Sequence, residues 1–182
     1  MIRFLVLRKK TSYSYKADPT KPGSFENNWQ NNSRDEFCVL DGGKELARFA
    51  CQSVANYCFG DYATADTVEH GDTIAPGEFF VKCFVPPRRF HGEIHGIIKC
   101  CDLDGQWIDC NSMQTTKGGF QNGRFLIHDK WSAKLGKDSN YAWSAGCIIL
   151  ASADLERLNS ILKTYKIKSG DIIKGFIEEI PA

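Results

Sequence analysis

Gly123-Arg124-Phe125-Leu126-Ile127-His128-Asp129 and Tyr141-Ala142-Trp143-Ser144-Ala145-Gly146-Cys147-Ile148-Ile149-Leu150 are two short apolar runs. Each reads as a strand and each delivers one reactive side chain. His128 closes the first run and Cys147 heads the second. A thiol is a strong nucleophile as its thiolate, and an imidazole is a common base for that conversion. Ala145 and Gly146 put little bulk before the cysteine. A substrate can therefore approach the main chain closely, and the N–H groups of Gly146 and Cys147 can receive an oxyanion. For either residue alone a place in the core is the simpler account. Together they point to a cysteine enzyme of the acyl-transfer class, with Cys147 as nucleophile and His128 as base.

The neighbours of this pair have two readings each. Ser144 either hydrogen-bonds within the site or supports the turn into Cys147. Arg124 lies four residues before His128, so on one strand both face the same way. Its guanidinium then either clasps a substrate carboxylate or makes a surface ion pair. Trp131, Tyr141 and Trp143 flank the segment between the reactive residues, where they line a groove for a peptide or sugar or fill space beneath the loop. Asp129 follows His128 directly. Adjacent strand side chains point to opposite faces, which makes its carboxylate a poor orienter for the ring.

These residues resemble the catalytic motif of the L,D-transpeptidase (YkuD-like) family, a His followed after about fifteen residues by Ser/Thr-His-Gly-Cys and an apolar residue. Here fifteen residues separate His128 from Ser144, and Ser144-Ala145-Gly146-Cys147-Ile148 follows. Upstream, Asp72-Thr73-Ile74-Ala75-Pro76-Gly77-Glu78-Phe79-Phe80-Val81 is similar to the family's Thr-Pro-x-Gly-x-Phe/Tyr segment, with altered Thr-to-Pro spacing. The likeness covers roughly residues 36 to 150 and is strongest over 72–150. It departs from the family at Ala145, which replaces a second His, and at Ile149, which replaces an Arg or Asn. The variant motif looks most like compact L,D-transpeptidase-type effectors exported by type VI secretion systems; related domains occur in phage. The resemblance implies a mainly β, sandwich-like fold with one helix in the carboxy-terminal region. It implies a peptidoglycan stem peptide as substrate, no metal and no cofactor, and a main-chain carbonyl as orienter of the catalytic His. An effector would also meet an immunity or secretion-system protein.

The length of 182 residues suits one domain spanning the chain. With 23 basic against 22 acidic side chains, neither nucleic acid nor an anionic membrane is the expected partner. No apolar run reaches membrane-spanning length, so membrane insertion is not expected. Met1 to Arg8 lacks the apolar core and cleavage site of a signal peptide. The expectation is synthesis in the cytoplasm, with action in the periplasm after non-classical secretion. Of the eight cysteines, most read as buried reduced thiols acting as small hydrophobes, with a bridge or two open to them in an oxidising compartment.

Along the chain, Ile2 to Leu7 and Thr11 to Tyr15 read as a strand pair, and 17 to 35 as a long loop. Phe37 to Leu40 and Glu45 to Cys51 read as a hairpin about Asp41-Gly42-Gly43; over the second half the period alone slightly favours a helix, and the family resemblance implies the strand. Glu78 to Val85 reads as a strand ended by Pro86-Pro87. Glu93 to Cys101 and Gln106 to Asp109 read as a hairpin about Asp102-Leu103-Asp104-Gly105. One helix follows Leu150, capped by Ser152, with Leu155, Leu158, Ile161, Leu162 and Tyr165 as its apolar stripe. Gly170 closes it, and Asp171 to Ile177 returns as a strand.

Three other functions compete. His91, His95, Cys100, Cys101 and Cys110 are ligand types for zinc, but no Cys-x-x-Cys pair frames them. Papain-like and NlpC/P60 enzymes place Cys before His at a helix start, the reverse of the order here. A non-catalytic wall-binding or phage accessory domain would keep the fold without a reactive Cys147.

Overall fold

Ile2, Phe4, Val6 and Arg8 are buried and alternate with more exposed residues. A period of two belongs to a strand with one covered face, and this segment is β1 (Ile2–Lys9). The computed structural model describes residues 1–10, 35–54, 58–59, 69–70, 74–90, 94–100, 126–129 and 147–181, with backbone alone at 58–59, 69–70, 87–90 and 94–100. Within them follow β2 (Asp35–Asp41), β3 (Lys44–Gln52), β4 (Cys58–Phe59), β5 (Glu69–His70), β6 (Gly77–Phe90), β7 (Ile94–Cys100), β8 (Leu126–Asp129) and β9 (Ile148–Leu150). A helix, α1 (Ser152–Thr164), and a last strand, β10 (Ile172–Ile180), complete the order.

Eight strands form one sheet that closes on itself in the order β1-β10-β6-β7-β8-β9-β3-β2, while β4 and β5 pair separately. The chain is mainly β with one helix among the described residues, as the sequence implies. The layers of the expected sandwich are joined into a barrel. Two parallel contacts make closure possible: β1 with β10, where Phe4 meets Gly175, and β8 with β9, where Ile127 meets Ile148. Inward residues of nearly every strand make the core, among them Phe4, Phe37, Val81, Ile127, Ile148 and Ile177. Phe4 and Phe37 stack tilted, with ring centroids 5.0 Å apart. Phe79 lies opposite Gly175, and a Cβ there would stand 2.2 Å from the ring. That strand position needs glycine because an aromatic ring crosses it.

Leu155, Leu158 and Leu162 of α1 join the same core, and Arg157 lies over the Phe49 ring at 5.3 Å. The helix ends in a Schellman turn. Ile167 N–H donates to Leu162 O and Lys166 N–H to Lys163 O, both at 2.9 Å, with Lys166 at φ 59°. Helix closure thus falls on Lys166, and Gly170, at φ 98°, instead shapes the turn into β10. The cap also differs from expectation. Ala151 occupies the N-cap position without a side-chain bond, and Ser152 is the first helical residue.

Strand pairing corrects one local reading, that of β6. Both edges of β1 are taken, by β10 and β2, and Thr11 to Tyr15, expected as its partner, lies outside the described residues. Both edges of β7 go to β6 and β8, and Gln106 to Asp109, expected as its hairpin mate, lies outside the described residues. Strand β6 runs through Pro86-Pro87 instead of stopping. Its pairing with β7 shifts register between Cys83 and Arg88, so the prolines sit where the ladder asks for no donor. The hairpin of β2 and β3 stands as expected, turning at Gly42, φ 60°, and Gly43.

Candidate active site

The two runs that open the sequence reading lie side by side as β8 and β9, in register Ile127↔Ile148, His128↔Ile149 and Asp129↔Leu150. Ile127, Ile148 and Leu150 face the barrel core. Alternation therefore turns His128 and Ile149 to the other face and returns Asp129 to the side of Leu150. Cys147 immediately precedes β9 and is partly exposed. The Leu126 N–H donates to its Sγ at 3.4 Å. The sulfur is thus held against the first residue of the strand that carries His128 two residues on. With strands about 4.8 Å apart and about 3.3 Å of rise per residue, the two Cα atoms stand about 8 Å apart on a diagonal.

His128 is 6% exposed, and its Nδ1 contacts the main-chain oxygen of Asp129. A carbonyl oxygen only accepts, so Nδ1 carries the proton, and Nε2 is the basic nitrogen of the neutral ring. The Asp129 side chain goes elsewhere. Its Oδ2 accepts the Ser152 Oγ–H at 3.2 Å, and both residues are buried. The link to Ser152 was not legible in the sequence. That link depends on β9 running parallel to β8 into the helix.

A second buried polar cluster closes the barrel end from which Cys147 emerges. Arg8, fully buried, donates from Nε to Ser53 Oγ at 2.9 Å, and from its terminal nitrogens to Ile74 O at 2.6 Å and Ser53 O at 2.8 Å. Ser53 Oγ–H donates to Asp35 Oδ2 at 2.5 Å, and the Lys9 N–H donates to Asp35 Oδ1 at 2.9 Å. Ser53 follows Gln52, the ladder partner of Ile149, which puts this cluster next to β9. Its signal in the sequence is the single charge in the inward series Ile2, Phe4, Val6, Arg8.

Cys38, Cys51 and Cys83 are buried. Burial pushes the Cys51 thiol well above its usual range, nearby Asp35 pushes the same way, and Arg8 opposes them. Burial likewise raises Cys38, against the pull of Arg48. These three behave as core residues, whereas Cys147 reaches solvent. Ser144, Gly146, Arg124, Trp131, Tyr141 and Trp143 lie outside the described residues, as do His91, Cys101 and Cys110. Among the described residues no group of three or more His, Cys, Asp or Glu is arranged to hold a metal ion, and no helix is long and apolar enough to cross a membrane.

No family model matches the chain. An uncharacterized protein of Treponema pallidum (strain Nichols) is 51% identical over 180 residues, covering 98% of this chain and 81% of that protein. Among solved structures, an L,D-transpeptidase from Xylanimonas cellulosilytica DSM 15894 aligns with 97% of this chain at a TM-score of 0.42 and 9% identity. A fused Zn-dependent amidase/peptidase/peptidoglycan-binding domain-containing protein from Clostridium acetobutylicum ATCC 824 aligns with 97% of it at 0.36 and 12%. The chain spans 60% and 52% of those two proteins. At such scores neither likeness defines the fold or the chemistry here.

Proposed function

This chain belongs to one family with the uncharacterized Treponema pallidum protein, and we propose that its chemistry is acyl transfer by Cys147 on peptidoglycan stem peptides. The carrying observation is the placement of the thiol: Sγ accepts the N–H of Leu126, on the strand whose third residue, His128, has its Nδ1 turned to a main-chain carbonyl. The substrate class comes from the resemblance of Ser144-Ala145-Gly146-Cys147 and its spaced His128 to the L,D-transpeptidase motif.

In this reading the Cys147 proton passes to His128 Nε2, and the sulfur attacks the carbonyl carbon of the third stem residue. The N–H groups of Gly146 and Cys147 receive the oxyanion. The peptide C–N bond breaks, His128 returns its proton to the departing amine, and D-alanine leaves as a thioester remains. Attack by water then releases a tripeptide, attack by a free D-amino acid exchanges the terminus, and attack by an acceptor amine makes a crosslink. Ser144 supports the turn into the nucleophile. Arg124 meets a stem carboxylate, while Trp131, Tyr141 and Trp143 grip the peptide. Action in the periplasm as a delivered antibacterial effector, with an immunity or secretion-system partner, belongs to the same proposal.

The test is incubation of wild-type and Cys147→Ala protein with stem tetrapeptides, followed by mass spectrometry of peptide and protein. The expected result is loss of D-alanine and an acyl adduct on the wild type alone. Equal turnover by Cys147→Ala, or none by the wild type, would sink the proposal.

A further inference from the structure

Asp129 is an uncommon place to find a carboxylate. It is the last residue of β8, 4% exposed and on the inward side with Leu150. Its main-chain oxygen receives the ring Nδ1, while its side-chain Oδ2 accepts the hydroxyl of Ser152, the first residue of α1. One residue thus holds the histidine with its backbone and the helix with its side chain. The start of α1 is a region of partial positive charge, which favours a carboxylate there. The helix itself is anchored by Leu155, Leu158 and Leu162 in the core.

We infer that Asp129 and Ser152 are a positioning pair, which fixes the carbonyl that keeps the proton of His128 on Nδ1 and its lone pair on Nε2. A carbonyl at a strand end turns with the backbone dihedrals of its own residue. Tying that residue's side chain to a packed helix removes the freedom. The ring then presents one tautomer, as a base acting on a thiol requires. Any catalytic consequence rests on the proposed thiol chemistry; the tautomer itself does not.

The decisive measurement is nitrogen NMR of His128 in the full chain without substrate, at a pH where the ring is neutral. Wild type is expected to show a single Nδ1–H tautomer. Asp129→Ala and Ser152→Ala are each expected to give a mixture of both tautomers. Asp129→Asn keeps an acceptor oxygen for Ser152 and is expected to restore the single form. Thioester formation should fall on the order of tenfold to a hundredfold in Ser152→Ala with peptide binding unchanged, a loss that misplacement of a base can produce. A wild-type ring protonated at Nε2 overturns the inference. So does a folded Ser152→Ala protein that keeps the single Nδ1–H tautomer, which decides the matter even where Asp129→Ala does not fold. A wild type with the expected tautomer and no turnover would instead remove the proposed function and leave the positioning pair standing.

Discussion

Two serine–aspartate pairs flank β9 and are put to different use. Ser53 donates to Asp35 at one end of the barrel, and Ser152 donates to Asp129 beside the start of α1. In the first, the buried Arg8 guanidinium also grips Ser53, so charge is balanced within the cluster and three strands and Ile74 are tied together. In the second, the aspartate backbone continues to His128, on the strand that meets a partly exposed thiol. The chemistry of the pair is the same, and what it adjoins decides its role. A buried carboxylate beside a guanidinium is a fastening. One that holds the carbonyl of a histidine near a partly exposed sulfur is assigned to the proposed site.

The widest gap should appear in reactivity. Iodoacetamide at neutral pH is expected to modify Cys147 at least about a hundredfold faster than Cys38, Cys51 or Cys83, because exposure and thiolate character set the rate. Peptide mapping reads the ratio, and comparable labelling of Cys51 in the folded protein would erase the contrast between core and site thiols.

Breaking the fastening should be next in size. Arg8→Ala strands the Asp35 carboxylate in the core and is expected to cost about 3–5 kcal/mol, measured by urea denaturation. A loss under about 1 kcal/mol would show that the cluster is not a structural fastening.

The two serines sharpen the comparison further. Ser53→Ala leaves buried donors and acceptors unmatched and is expected to cost about 1–3 kcal/mol, with the Cys147 labelling rate within about twofold of wild type. Ser152→Ala is expected to cost about 1 kcal/mol and yet to slow thiol chemistry. Parallel labelling and denaturation curves test both, and the reverse pattern would exchange the roles assigned to the two ends.

The smallest effect is a pH dependence. The folded Cys51 thiol is raised above its reference value of 9.0, so above that pH the native state holds a proton that the unfolded chain has released. The Cys51 contribution to stability should be constant below about pH 9 and fall as pH rises beyond it. Cys51→Val should flatten that fall, as read by denaturation midpoints across the alkaline range.

Much of this was legible in local pattern. Short apolar runs marked β1 and β2, the family resemblance and not the period marked β3, the leucine spacing marked α1, and small residues before Cys147, with His128 upstream, marked the candidate pair. The prolines after Val85 misled because a single strand's sequence does not tell whether its partner will bulge. Ser152 looked like a cap because a serine before an apolar stripe usually is one, while here its hydroxyl is taken by Asp129. The proposed roles of Ser144, Gly146, Arg124, Trp131, Tyr141 and Trp143 remain readings of sequence.

By itself, then, the sequence determined several of the segments that would be strands, where the helix would lie and which thiol and imidazole were candidates, since periodicity and reactive side chains are properties of short stretches. Tertiary structure alone decided that the sheet would close, that β8 and β9 would run parallel, and which carbonyl would meet the His128 ring. Those outcomes depend on register between residues far apart in the chain, and a one-residue slip in register turns every side chain of a strand to the opposite face.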